Sequence, residues 1–587
     1  MRLFLLHFLK AVWHVRVAWF WPIWIALTGA ATLIVAWLVS HTTSAPIPIA
    51  KPAADISTRR HYWTASAVAA LSLLALFLVC YVGMTLKWED FADYDESAFT
   101  LFALRGQNLS PPIWQDLGRF FPLGDQEFNL IRHFTHTVAG YHVFSVVQIC
   151  ILCCVLLALT DELSVTIRAA LAAFALITPG VVYVFSGLYY PERNVVFWLA
   201  CLALFVKYFE RTKATAWAAA AAVSAQIMIY YKDTAFLLLA GFAASRLILR
   251  CRNAEHPGWD FRTLRSKESS LDWCLGLLGL IFCLYYLAAM FPHPNTQYAT
   301  LVGYPLPEVV LFYLKTNSLM WLLALTVLFR TYLILRGRVQ FSPLWDGLAC
   351  GGSLYFAAYL YLGLCSFYYP APVNLIAVLY LGRFAALAWE RVPMGSKVAI
   401  SVLALALLVQ NVSLSAYRLF ERKNTIHAKA EIARVVGERY SGSRANAQRA
   451  FFPFATPYVL MEFGSYLNYR GVPVEGATPQ TSGPNTVVMV SSVVAMSGPC
   501  VAYRSLICQA GSGPERGDLV IVLPDDNASR AETTRYRERG QLLLAYEPRP
   551  RLPRWSYPLV SLFRAAWPSR NKEISDRWLD ASVTVWK

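Results

Sequence analysis

Residues 64–99 read TASAVAALSLLALFLVCYVGMTLKWEDFADYDESAF, an apolar run followed at once by a cluster of carboxylates. The apolar part, 64–86, is long enough to cross about 30 Å of hydrocarbon as an α-helix. Asp95 and Glu96 follow shortly after it, where the chain would leave the bilayer. Carboxylates at the mouth of a membrane span are costly to desolvate and are usually functional. The stretch therefore predicts a membrane protein with reactive groups at one membrane surface.

The composition of the whole chain agrees with this prediction. Of the 587 residues, 57% are hydrophobic and only 15% are charged, whereas soluble domains carry about 25% charged residues. Apolar runs of membrane-crossing length recur up to residue 415, so we predict about 11–12 membrane helices. The runs lie near 17–39, 64–86, 141–160, 168–188, 194–209, 214–229, 233–249, 272–291, 309–335, 346–366, 371–390 and 398–415.

The basic residues decide which side of the membrane each loop faces. The formal net charge is +16, but these residues do not form the single patch typical of a nucleic-acid-binding protein. They cluster in short loops between the apolar runs, and the positive-inside rule places such loops in the cytoplasm. We therefore expect no nucleic-acid partner. The basic loops lie at 207–213, 246–267, 330–338 and 391–397.

Alternation of the predicted helices then places the complementary segments on the outer side. These are the acid-rich loop 87–140, the segments 189–193, 230–233, 292–308 and 366–374, and everything after residue 415. We predict that the three charged segments before residue 234 share one membrane face.

Changes in composition divide the chain into three parts. Residues 1–63 form an N-terminal accessory segment with one extra span, whose topology the flanking charges leave undecided. Residues 64–415 form the transmembrane domain, including the outer loop 87–140. Residues 416–587 contain short β-rich runs around a polar helical stretch, which predicts a small α/β domain outside the membrane. Cys500 and Cys508 in this domain would pair in an oxidising compartment or remain thiols.

The acidic cluster at 90–96 has three possible roles. One carboxylate could accept a proton from a hydroxyl nucleophile, because like-charged neighbours raise its pKa. The cluster could instead hold a divalent cation through oxygen ligands. The third interpretation is a solvated acidic loop without a chemical role.

Charged residues in the other outer segments are further candidates. Glu192 and Arg193 occupy one tight turn and Lys232 the next, where a lysine is a natural partner for a phosphate or extends to the membrane interface. His133 and His136 have helical i, i+3 spacing, which fits a metal pair, or hydrogen-bonding and phosphate-facing residues at a helix entry.

These strings resemble those of the GT-C superfamily of integral-membrane glycosyltransferases. Asp95-Glu96-Ser-Ala-Phe99 is similar to the Asp-Glu-x-x-aromatic motif of the aminoarabinose and protein-mannosyl transferase branches. Tyr190-Pro-Glu-Arg-Asn194 is similar to the second acidic loop of bacterial members that modify surface polysaccharides. Lys232-Asp233 stands where some of those members carry a Lys-Glu or Lys-Asp pair. The architectural resemblance covers 64–415, although the extra N-terminal span departs from the usual arrangement.

The resemblance implies an enzyme that takes a sugar from a polyprenyl-phosphate donor and delivers it to a glycan or lipid of the cell envelope. It implies a multi-pass protein of the bacterial inner membrane whose active site and C-terminal domain face the periplasm. Asp95 would deprotonate the acceptor hydroxyl, with Glu96 or Glu192 orienting it, and a single displacement would invert the anomeric carbon. No cofactor is certain, and a divalent cation stays open. The donor phosphate would lie beside Lys232, Arg193 or Arg119, with His133 and His136 as further candidates.

Other functions also fit the sequence. An oligosaccharide ligase or oligosaccharyltransferase of the same fold would move a whole preassembled glycan. A polytopic transporter would show polar or broken helices near the middle of the membrane. A structural partner of a cell-envelope complex fits the C-terminal domain but leaves the acidic loop unexplained.

Overall fold

The computed structural model describes most of the helical part of the chain and the strands of its C-terminal part. Asp95, Glu96 and Cys500 lie outside the described residues. The described residues are 20–41, 65–86, 108–109, 111–114, 119–252, 259–290, 304–441, 448–453, 455, 457–474, 487–491, 508–510, 513–522, 538, 540–546 and 583–586.

Each long apolar run of the sequence forms an α-helix, or two consecutive helices, at nearly the predicted position. In chain order the α-helices are α1 (Phe20–His41), α2 (Ala65–Leu86), α3 (Gln126–Ile131), α4 (Val138–Leu159), α5 (Val165–Leu176), α6 (Pro179–Ser186), α7 (Glu192–Thr212), α8 (Thr215–Tyr231), α9 (Ala235–Arg250), α10 (Lys267–Met290), α11 (Leu306–Thr316), α12 (Ser318–Leu335), α13 (Pro343–Tyr361), α14 (Ala371–Ala388), α15 (Met394–Ser441) and α16 (Pro457–Tyr469). Short 3₁₀ helices cover Phe261–Arg265 and Trp389–Arg391.

The prediction of a polytopic helical membrane protein is confirmed, and within the described residues fewer helices are both long and apolar enough to cross a membrane than the sequence predicted. Among the described residues, six helices are long and apolar enough, namely α2, α4, α10, α12, α14 and α15. The count is seven if α5 and α6 are one bent span. Two of the remaining helices, α8 and α9, are too short, with only 17 and 16 residues. At 1.5 Å per residue these reach about 24–26 Å, less than the hydrocarbon thickness.

Two runs predicted as continuous spans are broken helices. The run 168–188 divides into α5 and α6, which are bent by 66°. Thr178 precedes Pro179 and has extended backbone (ψ 143°), because proline excludes the helical conformation from the residue before it. The run 309–335 divides at Asn317, whose Nδ2 donates a hydrogen bond of 2.8 Å to Asn374 Oδ1.

Small residues allow close packing of two of the bundle helices. Gly241 of α9 faces Gly351 of α13, and a Cβ on Gly351 would lie 2.5 Å from a backbone carbonyl oxygen of α9. Backbones approach this closely only where side chains are absent, as is common between membrane helices.

The C-terminal part is a six-stranded mixed sheet, which agrees with the predicted α/β domain. Its strands are β3 (Gln448–Phe452), β4 (Val487–Ser491), β5 (Cys508–Ala510), β6 (Leu519–Val522), β7 (Leu542–Tyr546) and β8 (Val583–Trp586). Their order in the sheet is β5-β4-β3-β6-β8-β7, with β5, β4, β3 and β6 mutually parallel and β8 antiparallel to both its neighbours. The 48-residue helix α15 spans about 72 Å and packs against both α6 and this sheet. A separate hairpin of β1 (Ile113–Trp114) and β2 (Arg119–Phe120) precedes α3.

Charged residues of the basic loops gather at one end of the helix bundle, which we call the Lys207 end. Lys207 donates hydrogen bonds of 2.6 Å to Asp161 and 3.1 Å to Glu162. Arg246 and Asp272 are fully buried, with a nitrogen–oxygen distance of 2.6 Å. These ion pairs connect different helices at the ends that the sequence predicts to be cytoplasmic, and they stabilise that end of the bundle.

Asp161 lies in the turn between α4 and α5, outside the spans. Burial would raise the pKa of its carboxyl, but hydrogen bonds from Arg211 and Lys207 outweigh that effect and hold the pKa well below its ordinary value.

Candidate functional site

Glu192 and Lys232 form a buried ion pair at the end of the bundle opposite Lys207. Glu192 opens α7 and Lys232 directly follows α8. A carboxylate at a helix N-terminus and a cation at a C-terminus both complement the helix dipole. The Glu192 residue is 0% exposed and the Lys232 residue 3% exposed, with 2.8 Å between Nζ and Oε1. Two residues singled out in the sequence are thus brought together, and we call this region the Glu192 end.

The Glu192 carboxylate keeps hydrogen-bonding capacity. Within the described residues, neither of its buried oxygens has a partner of hydrogen-bond geometry, although Lys232 supplies the opposite charge. Lys232 in turn lies 4.9 Å from the ring centroid of Tyr369 and 5.5 Å from that of Phe121, distances at which aromatic rings stabilise a cation. A substrate hydroxyl could therefore donate to Glu192 without breaking an existing hydrogen bond.

Arg193 is paired with Glu127, a residue that sequence reasoning missed. The fully buried Arg193 donates to Glu127 Oε1 at 2.9 Å and to Ser145 Oγ at 2.8 Å. Asn194 and Tyr231 also donate to the Glu127 carboxylate, at 2.6 and 3.2 Å. The only sequence signal for Glu127 is its place in the acidic outer loop. These contacts tie α3, α4, α7 and α8 together.

Arg119 meets Asp233 at the same end of the bundle. Its Nε lies 3.4 Å from Asp233 Oδ2, and its guanidinium carbon lies 4.9 Å from the ring centroid of Phe121. The loop that carries Arg119 is attached to α8 by a 3.1 Å hydrogen bond from Leu123 N to Tyr230 O. Lys232, Arg193 and Arg119, which the sequence nominated for a phosphate, each have a carboxylate partner.

The two predicted histidines lie apart from these pairs. His133 and His136 are exposed near the turn between α3 and α4. No group of three or more His, Cys, Asp or Glu side chains in the described part of the chain could hold a metal ion. The contact of His133 and His136 with a donor phosphate stays a prediction.

The segment that carries Asp95 and Glu96 returns to the described chain at the Glu192 end. Leu109 exchanges hydrogen bonds of 2.7 and 2.8 Å with the side chain of Asn129, on the same short helix as Glu127. The chemical roles of Asp95 and Glu96 stay predictions.

A wall of tyrosine rings extends from Lys232 across this end of the bundle. Tyr369 lies beside Lys232, and its ring centroid is 4.3 Å from that of Tyr368. Tyr368 stacks on Tyr183 at 5.6 Å and contacts Tyr190 at 5.1 Å. The sequence signal for part of this wall is the tyrosine doublets at 189–190 and 368–369, whereas Tyr183 lies alone in α6. We call Tyr183, Tyr190, Tyr368 and Tyr369 the tyrosine wall.

Comparisons with known proteins add little to this geometry. No family model matches the chain, and no curated protein matches it. Among solved structures, the chain is similar to the Archaeoglobus fulgidus oligosaccharyltransferase in complex with Zn and sulfate, at 12% sequence identity and a TM-score of 0.34. The similarity covers 80% of this chain and 72% of that one.

Proposed function

We propose that the protein is a GT-C-like membrane glycosyltransferase that moves a sugar from a polyprenyl-phosphate donor to a glycan or lipid acceptor. The observation that carries this proposal is the Glu192 carboxylate, which is fully buried beside Lys232 and a tyrosine wall, where α7 begins and α8 ends. Such a carboxylate suits a hydroxyl acceptor, and planar aromatic rings suit the apolar face of a sugar. Both lie where a lipid-linked donor would present its head group.

In the proposed reaction, Asp95 takes the proton of the acceptor hydroxyl while Glu96 or Glu192 orients that hydroxyl. The acceptor oxygen forms a bond to the anomeric carbon as the bond to the donor phosphate breaks, so the configuration inverts. The electron pair of the broken bond leaves on the polyprenyl phosphate. This step depends on positive charge near the phosphate more than on a nucleophile from the protein. Whether the carboxylates at 90–96 also hold a divalent cation stays open.

The membrane orientation belongs to the same proposal. We place the Glu192 end and the C-terminal sheet on the periplasmic side of a bacterial inner membrane, because the basic helix ends gather at the opposite, Lys207 end. The lipid tail of the donor would then lie between helices in the outer leaflet.

A transporter is the second candidate, and the broken helices favour it. The 66° bend between α5 and α6 and the Asn317–Asn374 hydrogen bond at the α11–α12 break are the discontinuities expected at a transported solute. An oligosaccharyltransferase of the same fold would share the Glu192 chemistry and differ in its donor.

The test is a transfer assay on the full-length protein in lipid nanodiscs. Undecaprenyl-phosphate-linked hexoses and aminoarabinose, each radiolabelled, are supplied with a cell-envelope extract as acceptor. We expect sugar transfer by the wild-type protein and by the control Glu162→Gln, which lies at the Lys207 end. Asp95→Asn should abolish transfer, and Glu192→Gln, which removes a group that orients the acceptor, should lower it roughly 10²-fold. Full activity of Asp95→Asn would refute the assignment of the base, and sugar uptake into vesicles without transfer would favour the transporter.

A further inference from the structure

An exposed cluster of aromatic and basic side chains lies at the connection between α9 and α10. Trp259 and Phe261 are 49% and 65% exposed, and their rings stack with 6.3 Å between centroids and 12° between planes. Arg262 and Arg265, in the short 3₁₀ helix that follows, are exposed as well. Trp273, in the second turn of α10, is 53% exposed. We call these five residues the interhelical cluster.

The interhelical cluster lies at the depth where the chain leaves the hydrocarbon. It comes at the start of α10, which is long and apolar enough to cross a membrane. Glu268, in the first turn of α10, forms an ion pair with Lys213 at the end of α7, so this turn belongs to the Lys207 end. Aromatic rings accumulate at the headgroup level of a bilayer, where an apolar body and a polar edge are both accommodated. Three large exposed rings at this depth therefore indicate contact with lipid.

Hydrogen bonds fix the backbone from which these side chains project. Asp260 N donates to Cys251 O at 2.7 Å, and the Asp260 carboxylate accepts from Arg262 N at 3.0 Å. Trp273 Nε1 donates to Leu264 O at 3.2 Å, which attaches the 3₁₀ helix to α10. Because the backbone is already ordered, a ligand that binds the cluster pays little further conformational entropy.

The charges of the stretch 259–267 favour an anionic ligand. This stretch holds three cations, Arg262, Arg265 and Lys267, and one acidic residue, Asp260. The Asp260 carboxylate caps the first turn of the 3₁₀ helix. Guanidinium groups match the geometry of phosphate oxygens, to which they donate two parallel hydrogen bonds. The two exposed arginines are therefore suited to phosphate groups at the membrane surface.

We propose that the interhelical cluster binds the headgroups of anionic glycerophospholipids in the leaflet that surrounds the Lys207 end. The guanidinium groups contact the lipid phosphates, and the aromatic rings pack against the upper part of the acyl chains. A bilayer supplies anions and hydrocarbon at the same depth, which an acidic soluble partner does not. This lipid binding does not require the glycosyl transfer proposed above.

The experiment measures lipid binding to the detergent-purified full-length protein by native mass spectrometry, with phosphatidylglycerol and phosphatidylcholine of identical acyl chains as probes. We expect the wild-type protein to bind phosphatidylglycerol roughly tenfold or more tightly than phosphatidylcholine. Arg262→Gln with Arg265→Gln should lose most of this preference, because each cation near a membrane surface contributes about fivefold. Arg262→Lys with Arg265→Lys should keep it. The matched control, Arg338→Gln with Arg391→Gln, removes the same charge from exposed positions of two other loops and should bind like the wild type.

The aromatic rings are tested separately from the charges. Trp259→Ala with Phe261→Ala should weaken the binding of both lipids and leave their ratio unchanged, because the rings contact acyl chains that the two lipids share.

Four results would overturn the inference. The first is equal binding of the two lipids by the wild-type protein, and the second is an unchanged preference in the folded Arg262→Gln, Arg265→Gln variant. The third is an equal loss in the matched control, since the preference would then come from the diffuse field of all the basic loops. The fourth is displacement of phosphatidylglycerol by an equal concentration of inorganic phosphate, which would exclude a lipid as the source of the anion.

Discussion

The ion pair between Glu192 and Lys232 allows a stringent test of the site geometry. The two residues are 0% and 3% exposed, and the charged atoms are 2.8 Å apart. At an effective dielectric constant of about 20, such charges attract by about 6 kcal/mol. Desolvation of the two groups offsets much of this attraction. Lys232→Met keeps most of the side-chain volume but leaves Glu192 as an uncompensated buried charge.

We expect Lys232→Met to lower the free energy of unfolding by about 3–5 kcal/mol, as is usual when one partner of a buried pair is removed. That loss is between two and four powers of ten in the folding equilibrium. The double variant Lys232→Met with Glu192→Gln removes both charges, so it should be more stable than Lys232→Met alone. The assay is unfolding by SDS in mixed micelles, followed by tryptophan fluorescence.

The exposed pair of Arg434 and Glu438 on α15 provides the control. Arg434→Met should leave unfolding unchanged, because exposed ion pairs contribute little. The reasoning is refuted if Lys232→Met unfolds like the wild-type protein. It is also refuted if the double variant is no more stable than Lys232→Met, since the two charges would then not be coupled.

Three further predictions concern packing, pH and topology. Gly351→Ala places a methyl group against a backbone carbonyl of α9 and should destabilise the protein by about 1–3 kcal/mol. A methyl group at the control position Gly279 meets no atom within 4 Å, so Gly279→Ala should not destabilise it. Thermal unfolding in detergent compares the two variants. The lowered pKa of Asp161 means that its carboxylate stabilises the fold above its unfolded pKa of about 4 and loses that effect as the pH falls further. Asp161→Asn should therefore flatten the decline of Tm below about pH 4, and an equally steep decline would contradict the assignment. In a cysteine-free background, His136→Cys should react with an impermeant thiol reagent added on the periplasmic side, whereas Arg338→Cys should react only after permeabilisation. Labelling of both cysteines from one side would contradict the proposed orientation, in which the Glu192 end faces the periplasm.

Local sequence was sufficient to locate the helices and to identify the C-terminal α/β part. Hydrophobic length is a property of consecutive residues, so the run 64–86 became Ala65–Leu86 without information from elsewhere in the chain. The break before Pro179 was also available locally, because proline restricts the residue that precedes it. Apolar length alone did not separate full spans from shorter helices such as α8 and α9, which have 17 and 16 residues.

The partners of the charged residues were decided only by the tertiary structure. The sequence marked Glu192 and Lys232 but could not pair them, and it passed over Glu127, which meets Arg193 across 66 residues of chain. His142 and Arg422 read as ordinary helix residues until packing buried them on α4 and α15. The physical reason is that helix formation depends on neighbours along the chain, whereas an ion pair depends on the angles and offsets at which separate helices pack.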